Sequence, residues 1–230
     1  MSSVRKTTKE DKRTRRPAYH HGDLRQALVA AALDALTRQD AADLSLRAIG
    51  RALGVSPRAP YRHFDTKEAL LAAVAIEGFA RFRAFVERRL ASAGPDPVER
   101  LRAVAEAYVL FAVEQPAAFR VMYAPYATVS EGAPDLLRAR RDAHQASTAI
   151  IADAQAAGLL RSGDPMEIAL VLWSSMHGLA VLLNEGQLGR FDRPVDAARV
   201  VRLVSGLLLE GLLPRPASAS PQEPRRARDR

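Results

Sequence analysis

Four hydrogen-bonding side chains, Arg58, Tyr61, Arg62 and His63, fall within two helical turns of one another at the end of the run SLRAIGRALGVSPRAPYRHF, Ser45 to Phe64. Two guanidiniums, a phenol and an imidazole at that spacing supply donors for phosphate oxygens and for the acceptor edges of bases. Such a cluster suits a helix whose N-terminal half faces base edges while its flanks hold phosphates. A second group is dispersed along the chain: Tyr108, Phe111, Phe119, Met122, Tyr123, Trp173 and His177. Each alone is ordinary core. Brought together, they have the make-up of a small-molecule pocket, apolar with a few polar handles.

Other chemistry is missing from the sequence. There is no phosphate-binding Gly loop, no GxSxG elbow and no HExxH, and Cys is absent, which removes disulfides, thiolate metal sites and cysteine nucleophiles. His20 and His21 beside Asp23 project differently and have no further ligand at helical spacing, so they read as surface or capping residues and no metal is expected. His144 and His177 are the inner histidines. An enzyme would need one of them paired with a nucleophile or carboxylate, and no such pairing is visible.

The donor cluster needs two helices to position it. Ser45 is an N-cap for a short helix carrying Leu46, Ile49 and Leu53, and Gly54 suits the left-handed turn that ends it. Ser56 is the next N-cap, with Pro57 at the first helical position, so a second helix is expected from there. Gly50 leaves room for the two to cross closely. Pro60 removes the N–H that would bond the Ser56 carbonyl, a loss expected to be tolerable in a first turn. A helix from Asp23 to Arg38, with Leu24, Leu28, Ala31 and Ala35 on one face, precedes the pair. Asp65 as N-cap, with Glu68 in a capping box, launches a long helix through Leu70, Val74, Phe82 and Val86 to the stop at Ser92–Pro95. That helix is roughly 40 Å long at 1.5 Å per residue, enough to join two domains.

In this order and spacing, the SLRAIGRALGVS run, YRHF and TKEALL resemble the TetR/AcrR family of transcriptional regulators. The resemblance implies that Ser45, Tyr61, His63 and Lys67 hold phosphates and that Arg58 and Ala59 meet bases, with Arg47, Ser56 and Arg62 on the same DNA-facing surface. Arg58, Ala59 and Pro60 stand where many members carry Gly and small or apolar residues, so the bases read here do not transfer by analogy.

Beyond Asp96 every start signal is helical and no alternating strand pattern appears, so the fold class is all-α. Asp96 and Pro97 open a helix ended by Pro116, and a short helix through Phe119 and Met122 is broken by Pro125. After a loop from Tyr126 to Ala133, Pro134 begins a helix that Gly158 ends. Asp164 and Pro165, and then Pro194, start two helices apolar on most faces. Helices of that kind need cover on most faces, part of it from a second subunit. In the TetR family the last two helices form a four-helix dimer interface, and these segments resemble that pair. Trp173, His177 and Gly178 also resemble the group of C-terminal domains with a Trp-His-Gly signature.

Residues 1 to 20 hold seven Lys and Arg against two acids, and the tail from Pro214 holds five against two; together these account for the whole net charge of +8. The domains expected are a disordered basic arm (1–20), a helix-turn-helix DNA-binding domain (21–66), a helical effector-binding and dimerisation domain (67–213) and a disordered basic tail (214–230). The arm is placed to add sequence-independent affinity for phosphates or the minor groove. No signal peptide or charge-free apolar span is evident, so a soluble, cytoplasmic chain without a membrane or cofactor partner is expected. The function expected is a homodimeric regulator, a repressor of a palindromic double-stranded operator, released by a small organic effector. An effector-independent DNA-binding dimer and a helical-bundle enzyme using His177 or His144 are the alternatives.

Overall fold

A computed structural model describes residues 21–124, 134–190 and 196–214. The basic arm, the expected loop after Tyr126, the Pro194 start and all of the tail after Pro214 lie outside the described residues, as does the side chain of His21. Among the described residues there are eight α-helices, three 3-10 turns and no strand. The helices are α1 His21–Ala35, α2 Leu46–Ala52, α3 Lys67–Ser92, α4 Pro97–Glu114, α5 Pro116–Tyr123, α6 Pro134–Ala156, α7 Pro165–Asn184 and α8 Ala197–Glu210.

The start signals act as local chemistry requires. Asp96 and Asp164 each accept from the N–H two residues on, Val98 at 2.9 Å and Met166 at 2.8 Å, with proline in the first turn behind them. Gly158, at φ 69°, follows α6 in the left-handed region. Other boundaries differ from the expected ones. The N-cap of α3 is Thr66, not Asp65: its hydroxyl accepts from Ala69 N at 3.1 Å. Two adjacent cap-type residues compete there, and the one whose backbone is extended next to the first helical residue wins. The described α8 runs from Ala197, with Asp196 as a cap that accepts from Arg199 N. The first helix begins at His21 and stops at Ala35, its last turn tightening into i→i+3 bonds from Thr37 and Arg38. A 3-10 turn, Ala41–Asp43, stands unforeseen between α1 and α2.

Two helices organise the rest. α3 packs on α1 with its first turns and on α4, α5 and α6 further along, and α4 packs on α3, α5, α6, α7 and α8. Leu70, Leu71 and Val74 are buried at the α1 end, and Phe79, Phe82, Phe85 and Val86 at the other. Phe82 and Phe85 meet Phe111 edge-on, with centroids 5.3 and 5.8 Å apart, and Phe82 meets Tyr108 at 5.5 Å. Gly78 admits α5: a Cβ there would stand 2.7 Å from Met122 Cγ. Of the described helices only α7 is long and apolar enough to cross a membrane; here its Ile168, Leu172, Met176 and Leu179 are buried in the bundle.

Candidate nucleic-acid interface and ligand groove

The helix-turn-helix is locked at its crossing by Gly50 and Pro60. A Cβ at Gly50 would lie 2.7 Å from Pro60 Cγ, so only glycine lets the second element sit this close. The turn itself is a Schellman motif: Gly54 has φ 70°, its N–H bonds the Arg51 carbonyl, and the Val55 N–H bonds the Gly50 carbonyl, each at 3.0 Å. Ser45 occupies the N-cap position of α2 with extended backbone, yet its hydroxyl makes no capping bond.

The second element corrects the sequence expectation. No α-helix starts at Pro57; residues 57–59 form a turn and Pro60–Arg62 a single 3-10 turn. Pro60 is the cause. Without its N–H the Ser56 carbonyl takes the Ala59 N–H at 3.0 Å, and the chain continues through i→i+3 bonds from Arg62 and His63. The loss expected to be tolerable therefore changes the class of the element.

On this scaffold Ser45, Arg47, Ser56, Arg58, Tyr61 and Arg62 are exposed, while Ala59, His63 and Lys67 are half-buried beside them. Tyr61 is 42% exposed although it is a large aromatic. Lys67 reaches back to the Ala42 carbonyl at 2.9 Å and pins the start of α3 to the turn before α2. Arg25 of α1 stacks on Phe64, 5.1 Å from the ring centroid, fixing the far edge of the unit.

The second candidate group gathers where α4, α5 and α7 meet. The Trp173 indole N–H donates to Tyr108 Oη at 3.1 Å, and Tyr108 Oη lies 2.8 Å from His177 Nδ1. An indole nitrogen only donates, so the Tyr108 hydroxyl accepts there; toward His177 Nδ1 it donates or accepts according to the imidazole tautomer. Burial holds His177 below its ordinary pKa of 6.5, which favours the neutral imidazole, and pushes the Tyr108 phenol far up. His144 is also lowered, first by burial and then by the Arg140 charge, and meets Trp173 edge-on at 5.6 Å.

Beside this relay lies an open groove of ≈ 850 Å³ between α6 and α7. Its α6 wall is Leu137, Arg140, Arg141, His144, Gln145 and Thr148, alternating steps of three and one, which is a single helix face. Its α7 wall is Met166, Ala169, Leu170 and Trp173, spaced likewise, and Tyr123 closes the end. Tyr123 and Trp173 thus reach the groove, and Tyr108 and His177 stand behind them. Phe111, Phe119 and Met122 are each at most 5% exposed and belong to the core. The α6 wall was missed in the sequence, although the spacing of Leu137, Arg140, Arg141 and His144 was there to be read. A second small cavity, ≈ 40 Å³, lies under Trp173 between Phe82 and Met176.

Comparison with known proteins agrees with both halves. A family model described as bacterial regulatory proteins, tetR family, matches residues 28–74, and one described as the tetracyclin repressor-like C-terminal domain matches residues 101–207. A solved protein of unknown function from Rhodococcus sp. RHA1 is 34% identical, covering 86% of this chain and 100% of that one with a TM-score of 0.76. A TetR-family transcriptional regulator from Pectobacterium atrosepticum is 24% identical, covering 85% and 97% with a TM-score of 0.64. AibR, solved in complex with isovaleryl coenzyme A and operator DNA, is 20% identical, covering 80% and 97% with a TM-score of 0.61. The last two show likeness of fold alone. The search of curated proteins gave no match.

Proposed function

This chain belongs to the TetR family of bacterial regulatory proteins, and we propose that it is a homodimeric repressor that binds a palindromic operator and is released by a small organic effector. It is a DNA-binding transcriptional regulator rather than an enzyme. The observation that carries the finer reading is the pairing of an exposed donor surface at one end with the ≈ 850 Å³ groove at the other, joined by α3.

Support for DNA contact by Ser45, Arg47, Ser56, Arg58, Tyr61 and Arg62 is their shared exposure on a unit locked by Gly50 and Pro60. Ala59, His63 and Lys67 complete that surface. Support for a dimer is an apolar stripe left in water: Leu203 and Leu207 of α8 are 59% and 61% exposed, and Val171 and Leu182 of α7 are exposed as well. A second copy is the natural cover, with two-fold symmetry matching a palindrome. Support for an effector is the groove and the AibR complex, a protein of the same fold carrying an acyl thioester together with operator DNA. The reading places the protein in the cytoplasm, where the operator is.

The test is selection of bound duplexes from random DNA with the full chain, followed by a release screen on the winner. Recovery of a palindrome from which small organic molecules release the protein is expected. A winning site that none of them releases would leave an effector-independent dimer as the better account.

A further inference from the structure

The groove has a charge character that its shape does not require. Arg140 and Arg141 stand on its α6 wall, and among the described residues no Asp or Glu lines it. Two polar atoms near it, Tyr123 Oη and Arg140 Nε, are buried with no hydrogen-bond partner among the described residues. Tyr123 lies beside Tyr108, Trp173 and Arg140, yet no hydrogen bond joins its hydroxyl to any of them. A buried donor left unmade is costly, and native structures leave few of them. Of the remaining lining, Leu137, Met166, Ala169, Leu170 and Trp173 are apolar, while His144, Gln145 and Thr148 add neutral polar groups. The volume is of the size that small organic ligands fill.

We propose that the groove takes an organic carboxylate, its apolar body along Met166, Leu170 and Trp173 and its acid group on the Arg140 guanidinium and the Tyr123 hydroxyl. A guanidinium fork and a phenol O–H satisfy a carboxylate's two oxygens together, and with a small outward turn of the Arg140 and Tyr123 side chains the carboxylate supplies the acceptors that both closed-off atoms lack. Arg141 at the rim adds attraction for the approaching anion. A cation would meet two arginines without compensation. The assignment rests on the reading of the groove as an effector site.

Trp173 is the only tryptophan of the chain, so its fluorescence reports the groove wall and the small cavity beneath it and no other part of the protein. The full-length protein is titrated with decanoate, decanol and decylamine, three probes sharing one apolar body. Decanoate is expected to bind tightest, by about tenfold or more over decanol, with decylamine weakest. In Arg140→Gln the advantage of acid over alcohol should vanish, while Arg140→Lys keeps part of it; Tyr123→Phe should narrow it with little effect on decanol. Far-UV circular dichroism checks the fold of each variant. Alcohol or amine binding as tightly as the acid, or an acid preference that survives in both Arg140→Gln and Tyr123→Phe, overturns the carboxylate assignment and leaves the effector site standing. If none of the three probes perturbs Trp173 up to its solubility, the groove is not an apolar ligand site, and the effector reading falls with the assignment.

Discussion

Arg120 of α5 donates through Nη2 to the backbone carbonyl of Leu36, 2.9 Å away and just past the last residue of α1. That carbonyl belongs to the group a helix end leaves without an intrahelical partner. The same short helix carries Tyr123 at the end of the groove, one turn further on. A displacement of α5 by ligand therefore has a direct route to the helix-turn-helix, in addition to the covalent one through α3.

Arg120→Ala should leave operator affinity without effector within a few-fold of the parent and reduce the effector's ability to release DNA. Coupling free energies of about 1–3 kcal/mol correspond to roughly 5 to 150-fold changes in affinity. The variant is expected to fall below that range, as measured by DNA-binding anisotropy with and without ligand. Coupling unchanged in Arg120→Ala would assign the transmission to α3 alone.

Gly50→Ala pushes a methyl group to within 2.7 Å of Pro60 Cγ. Overpacking of this kind typically costs about 1–3 kcal/mol, and here it also moves the element that carries Arg58 and Tyr61. A lowered urea midpoint together with weakened binding to all operators is the expected outcome.

Positioning and reading should separate by mutation. Tyr61→Phe is expected to weaken every site by a similar factor, because a phosphate contact carries no sequence information. Arg58→Ala should relax preference at one base pair and cost on the order of 1–3 kcal/mol there. Competition binding against single-base operator variants measures both, and the reverse pattern would mean that the turn built by Pro60 docks differently.

Dimerisation should depend on the outward stripe of α8. Leu203→Asp with Leu207→Asp is expected to give monomers by sedimentation at micromolar concentration. Leu208 is half-buried against the protein's own core, so its replacement tests folding rather than association.

Acid should destabilise the fold through the inner histidines. His177 and His144 both sit below their ordinary value of 6.5, so between that value and their folded values the unfolded chain binds more protons. Stability is then fully present above about pH 6.5 and declines as pH falls below it. His177→Gln should shallow the decline in chemical denaturation curves taken across that window.

How far the sequence reveals the molecule depends on the range of the interaction. Gly54, Asp96 and Asp164 act on neighbours within a few residues, and their helices begin or end where those residues say; Ser45 stands at the start of α2 without a capping bond. Thr66 and Asp65 are adjacent cap types, which is why that boundary moved by one. The effect of Pro60 lies in where the Ser56 carbonyl finds its partner, the Ala59 N–H, which no single residue type announces. The groove was half legible. Trp173 and Tyr123 stand out as aromatics, whereas Arg140 and Thr148 become its wall only when α6 lies along α7, and Arg120 finds Leu36 across 84 positions of sequence.

The decisive measurement is the affinity of the full-length protein for its selected operator, taken with and without a saturating concentration of the acid that binds beside Trp173. A loss of roughly 5 to 150-fold is expected, with the same factor recovered when the acid is titrated in the presence and absence of operator, because linkage is reciprocal. Equal affinities in the two titrations would contradict the account, leaving the groove and the helix-turn-helix as independent sites.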